Sequence, residues 1–225
     1  MRNVKKKPQQ SNIVILLIAG LLLSACNSKT RIDEYRQNPA AIMSQEESVV
    51  ILGRRHSIGH ETEIDFVSCV GDSLANGSTA IPVIPEKEFV DALYPYFETS
   101  TAPMDVRNLD KLVQNPAIAE KFADFQLRFF IWIDGSTETT DKKGSISCAV
   151  GPGGGGCFGF ATWDDEANYE ASIWDFKSLK LSGKISAETK GTSYLPAVIV
   201  PIPLLARVQA GACKSMAAQI KSFLQ

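Results

Sequence analysis

The chain reads as an α/β (α+β) protein: a mixed sheet laid down as strand–helix–strand–helix, then antiparallel strands, closed by a carboxy-terminal helix. Three observations carry that expectation. Val49-Val50-Ile51-Leu52 and Leu127-Arg128-Phe129-Phe130-Ile131-Trp132-Ile133 are short apolar runs of the kind that buried strands make. Ile64, Val67, Val70 and Leu74 recur at intervals of three and four, which is helical spacing. Segments of strand length then succeed one another from 145 to 189, and 205–224 has the pattern of an amphipathic helix.

Each element follows from local chemistry. Gly53 closes the first apolar run, and residues 61–75 make the first helix. Residues 81–85 form a second short strand with prolines at its edges. Residues 86–94 follow as a helix with Phe89, Val90 and Leu93 on one side. The stretch 109–125 is a helical pair broken at Asn115-Pro116, because proline suits the first turn of a new helix. Residues 127–133 give the strongest strand signal, ended by the turn dipeptide Asp134-Gly135. Residues 145–150, 157–163, 169–176 and 184–189 are predicted as separate antiparallel strands. In the third of these, Ala171, Ile173 and Asp175 alternate with Ser172, Trp174 and Phe176, so both faces are expected to be partly buried. Pro196, Pro201 and Pro203 interrupt the apolar stretch before the last helix.

The amino terminus carries an address. Arg2, Lys5, Lys6 and Lys7 precede the apolar residues 13–23, and Leu23-Ser24-Ala25-Cys26 follows. As a helix the apolar segment reaches only about 16 Å, against about 30 Å of bilayer core. The segment resembles a bacterial lipoprotein signal with its lipobox. An ordinary signal peptide with a chance cysteine is the alternative. The resemblance implies cleavage before Cys26, diacylglycerol on its sulfur and acylation (palmitate) of the new amino terminus. Asn27 stands where such lipoproteins carry Asp when they are kept in the inner membrane. The expectation is therefore an outer-membrane lipoprotein facing the periplasm, anchored stably by more than one acyl chain. The organisation is a signal over 1–25, a lipidated flexible tether over 26–46 and a single periplasmic domain over 47–225.

Cleavage leaves 200 of the 225 residues, enough to bury a proper core. Losing the four cations of the signal takes the net charge from −2 to −6. That acidity argues against a nucleic-acid partner. Four cysteines, Cys69, Cys148, Cys157 and Cys213, would enter an oxidising periplasm, where disulfides persist. Cys148 and Cys157 flank Gly151-Pro152-Gly153-Gly154-Gly155-Gly156, where the chain can turn back. Pairing them leaves Cys69 with Cys213. A zinc site is the rival, but there is no Cys-x₂-Cys pairing.

The element order resembles the α/β domain at the amino terminus of TolB and in CsgG-like periplasmic lipoproteins. The residues that carry the resemblance are 49–52, 83–88, 127–134, the stretch 169–182 with Asp175, and 204–224. The glycine-rich hairpin and the four cysteines depart from that pattern.

Four motifs invite a chemical reading. Gly71-Asp72-Ser73-Leu74 has the letters of a GDSL-type esterase block, in which Ser73 would attack an acyl carbonyl. Such a serine needs a base from a later Asp-x-x-His block, whereas His56 and His60 both precede it. Those histidines stand four apart and would share a face if helical, a metal-binding spacing, but Ser57 and Gly59 make the helix doubtful. Residues 151–156 lack the Lys-Ser or Lys-Thr of a phosphate loop and read as a hairpin tip. Trp163-Asp164-Asp165-Glu166 lacks EF-hand spacing and reads as a solvated turn.

No complete catalytic set emerges. The expected function is a non-enzymatic binding or assembly module of the cell envelope, without cofactor or metal. Its partners would be membrane lipid, through the acylated terminus, and an envelope protein. The alternative is a periplasmic GDSL-like serine esterase using Ser73. A pore builder like the curli channel is a third idea, opposed by the lack of evident alternating strands of about 9–11 residues.

Overall fold

The computed structural model describes residues 28–37, 42–57, 60–77, 79–98, 100–201 and 203–225. The signal segment and the lipid-attachment residue Cys26 lie outside the described residues. The chain runs β1 (Ser28–Arg36), β2 (Ser48–Gly53), β3 (Arg55–Ser57), β4 (His60–Glu61), α1 (Ile64–Ala75), β5 (Val83–Ile84) and α2 (Glu86–Ala92). It continues through α3 (Val106–Val113), α4 (Pro116–Asp124), β6 (Leu127–Gly151), β7 (Gly154–Asp175), β8 (Lys180–Pro201) and α5 (Val208–Leu224). Six strands form one mixed sheet in the order β1-β8-β7-β6-β2-β5, and β3 pairs with β4 separately. The architecture is α/β.

Two compact units share these strands. A main unit comprises Lys29–Glu138, Glu166–Lys190 and Val208–Gln225, and a strand unit is built on Thr139–Asp165 and Gly191–Arg207. β6, β7 and β8 contribute residues to both.

In the main unit, β2 lies parallel to both neighbours, with Val49 opposite Val83 on one side and Phe129 on the other. Every residue of β2 is buried, which is why it reads as a continuous apolar run rather than an alternating one. One sheet face carries Val50, Leu52, Phe130, Trp132 and Trp174 into a cluster with Phe89, Leu109, Ile118 and Phe122 from α2–α4. Its aromatic rings meet edge-on, as at Phe89–Phe97 with centroids 4.8 Å apart, or stacked, as at Phe97–Phe130. Burying each such ring contributes about 1.5–3 kcal/mol. Val49, Ile51, Phe129 and Ile131, at the alternate positions, are buried as well. α1 packs on β2 and on α5. A disulfide between Cys69 and Cys213 links α1 to α5, with Cα atoms 6.2 Å apart.

Caps explain the helical break in this unit. The Asp105 carboxylate accepts from the Asn108 N–H at 2.9 Å to start α3. The Asn115 side chain accepts from Ala117 N–H at 3.1 Å, with Pro116 in the first turn of α4. A buried ion pair ties β6 to the end of β7: Arg128 Nη1 donates to Asp175, which also accepts from the backbone N–H of Lys177 and Ser178.

The structure departs from the sequence expectations in several places, Pro196 and Pro201 lying within β8 rather than interrupting it among them. Residues 28–36, expected within the tether, form the edge strand β1 beside β8. Its side chains are mostly exposed, so no apolar periodicity announces it. Asp134-Gly135 is not a turn, since β6 continues through it to Gly151. Gly135 holds φ +138°, and a Cβ there would fall 2.0 Å from the Asn168 carbonyl oxygen, so the glycine serves a close cross-strand approach. Finally, 157–163 and 169–176 are one strand, and β6, β7 and β8 span 25, 22 and 22 residues. The sequence shows no clear pair of alternating strands of about 9–11 residues, and β6, β7 and β8 each exceed that length.

Candidate functional site

Within the strand unit, a polar band and an apolar region follow each other along the chain. Asp165 accepts from Thr139 Oγ1 on β6 and from Ser193 Oγ on β8, each at 2.8 Å. Asp164 accepts from Thr192 Oγ1 at 2.6 Å, and Ser193 Oγ in turn accepts from Ala206 N–H at 3.0 Å. These bonds stitch three strands together. The expected solvated turn at 163–166 is therefore corrected: the four residues lie inside β7, with both aspartates bonded across strands.

Residues 144–163 and 191–206 carry no charged side chain at all. Their apolar residues are nevertheless exposed, including Val150 at 90%, Phe158, Phe160, Val198 at 73%, Ile199, Val200 and Leu205. Large exposed apolar side chains concentrated in charge-free chain stretches make these strand ends a candidate contact surface. At the hairpin end, Cys148 and Cys157 form a disulfide with Cα atoms 4.0 Å apart, on either side of the turn at Pro152-Gly153.

The main unit holds a groove of about 670 Å³ between α1 and α2, beside the short edge strand β5. Ile51, Val67, Val83 and Val90 give it an apolar lining, with Asp72, Glu86 and Glu98 among its polar residues. Glu86 accepts from the Gly53 N–H at 3.2 Å and stands 3.7 Å from Arg55 Nη2. Burial still pushes the Glu86 carboxyl above its ordinary range, outweighing both of those partners. On the opposite side of α1, Tyr169 stacks on Phe66 and bonds to Glu63 and Thr137. Burial pushes its phenol up to about 12.

The residues singled out in the sequence are scattered. Ser73 lies on α1, where its hydroxyl stands 3.9 Å from the disulfide sulfur of Cys213. His56 and His60 fall on β3 and β4, with His60 opposite Ser57, so they do not share a helical face. Their side chains lie outside the described residues. Among the described residues, no group of three or more His, Cys, Asp or Glu is placed to hold a metal. No helix among them is long and apolar enough to cross a membrane. The charge-free, exposed strand ends were missed by sequence reasoning, although the absence of charge over 144–163 and 191–206 was a usable signal.

No protein-family model matches the chain, and no curated protein matches it in sequence. Among solved structures it is similar to the PelC dodecamer from Paraburkholderia phytofirmans, at 12% identity, covering 88% of this chain and 98% of that one with a TM-score of 0.41. A point variant of the same dodecamer gives 12% identity, coverage of 88% and 99%, and a TM-score of 0.43. A likeness of that degree carries no functional argument.

Proposed function

We propose that this chain is an outer-membrane-anchored lipoprotein, facing the periplasm, that acts as a non-enzymatic binding and assembly module of the cell envelope. The exposed apolar side chains on the charge-free strand ends carry this reading, because a surface of Val150, Phe158, Phe160, Val198 and Val200 gains by being covered. The lipobox ending in Cys26 supports the anchor. The resemblance to TolB amino-terminal and CsgG-like lipoproteins, with antiparallel strands closed by a carboxy-terminal helix, supports the envelope setting. Palmitate labelling tests the anchor: incorporation is expected in the wild type and absent in Cys26→Ser, which is released from the membrane. A Cys26→Ser protein that stays membrane-bound would reject it. Contact is tested by Val198→Asp with Val200→Asp, which is expected to abolish recovery of the envelope partner while the main unit stays folded.

A pore-building role is the second reading, favoured by strands of 22–25 residues that are charge-free over their ends. Conductance steps from purified lipoprotein in a planar bilayer would support it over simple docking. The esterase alternative has one direct test, fluorophosphonate labelling at Ser73 that disappears in Ser73→Ala.

A further inference from the structure

We propose that the groove between α1 and α2 is a socket for the apolar side chains Val198, Ile199, Val200 and Leu205 of a second copy of this chain. This rests on the assembly reading above and names the partner. Three observations on different parts of the molecule converge on it.

The first is the socket. It has room, at about 670 Å³, for the side chains of a short apolar segment, and its lining of Ile51, Val67, Val83 and Val90 is apolar. Gly71 leaves it open: a Cβ there would make only ordinary contacts, 3.7 Å from Val83 and 3.8 Å from Ile51. The glycine is therefore not demanded by close packing of α1. The neighbouring edge strand β5 is two residues long and flanked by Pro82 and Pro85, which discourages strand addition through the backbone. Recognition falls to side chains entering the groove.

The second is the plug. Val198, Ile199 and Val200 are consecutive exposed apolar residues, and Leu205, five positions further on, is exposed as well. Ile199 holds φ +76°, a conformation that β-branched residues avoid, and its side chain is 61% exposed. The third is charge. The plug ends at the exposed cation Arg207; in the groove Arg55 is paired with Glu86 and Lys87 with Asp91, and two further carboxylates, Asp72 and Glu98, leave it net acidic. Socket and plug are different surfaces of one chain, so each copy both receives a partner and enters one.

The test uses the processed, full-length lipoprotein in native envelopes, with a photo-crosslinking residue at Ile64, an exposed residue of the groove. Ultraviolet light is expected to give a homodimer whose crosslinked peptide contains 198–207. Filling the groove by Gly71→Leu is expected to cut that yield at least tenfold, with the Cys69–Cys213 disulfide intact as a check on α1. Asp72→Lys with Glu98→Lys is expected to weaken the crosslink, and adding Arg207→Glu to restore it. Crosslinks that reach only a different envelope protein would overturn the socket while leaving the assembly reading standing. Absence of any crosslink, or of charge-swap rescue, in a protein with the disulfide intact would overturn the socket too. Failure of the assembly reading shows separately, as unchanged partner recovery in the Val198→Asp, Val200→Asp variant.

Discussion

The main unit and the strand unit draw on the same three strands, β6, β7 and β8, yet treat their apolar residues in opposite ways. In the main unit, Phe129 to Ile133 and Ala171 to Trp174 find helices or neighbouring strands to cover them, leaving Phe130 and Ile131 fully buried. In the strand unit, Val150, Phe158 and Val198 belong to equally regular strands but stay exposed. Apolar composition alone therefore does not define a core; a covering layer does. The main unit is held by hydrophobic burial. The strand unit is held by its backbone ladder, a short-loop disulfide and the hydroxyl–carboxylate bonds around Asp164 and Asp165.

That contrast can be broken at its disulfides first. The Cys69–Cys213 bridge spans 144 residues of sequence and the Cys148–Cys157 bridge only 9. On the chain-entropy model, replacing the first pair by alanine costs about 5 kcal/mol and the second about 3 kcal/mol. Urea unfolding of the two double variants checks the ordering, and equal losses would contradict it. Next come the phenylalanines. Phe130→Ala empties a site inside the aromatic cluster and is expected to cost about 3–5 kcal/mol. Phe160→Ala, on the exposed strand end, is expected to change stability by less than about 0.5 kcal/mol.

A smaller effect sharpens the account of the groove. Burial holds the Glu86 carboxyl above its ordinary value of 4.5, so the folded state binds that proton more tightly than the unfolded state. The associated stability is fully present below the ordinary value and is lost as pH rises through the raised one. Glu86→Gln keeps an acceptor for the Gly53 N–H without the charge. Thermal melts are expected to show the variant slightly more stable than the wild type at pH 7, with the gap closing under acid. A gap that widens under acid would reverse the assigned cause.

Much of the α/β framework was legible because burial on both sides leaves continuous apolar runs, as at 49–52 and 127–133, and because Asn115-Pro116 spells a helix start. The strand ends were not legible as long strands. Asp134-Gly135 carries turn letters, but Gly135 is there for a close approach to the Asn168 backbone. Pro196 and Pro201 lie within β8 in the strand unit, where proline signals punctuated rather than ended the strand. β1 was hidden for the opposite reason, since an exposed edge strand needs no apolar face. Of the GDSL letters, Gly71 and Asp72 line the groove, while Ser73 stands beside the Cys213 sulfur. No local pattern reports a groove assembled from Ile51, Val67 and Val90, because these residues meet only through the fold.

Thiol accessibility at the strand end tests the central claim, that the charge-free strand ends are a contact surface, most directly. Val198→Cys would be exposed to a charged maleimide in intact envelopes and again after purification in mild detergent, with Lys142→Cys as a reference outside the apolar region. The expected result is protection of position 198 in the envelope, full labelling once purified, and labelling of position 142 in both. Equal labelling of position 198 in both settings would contradict the claim.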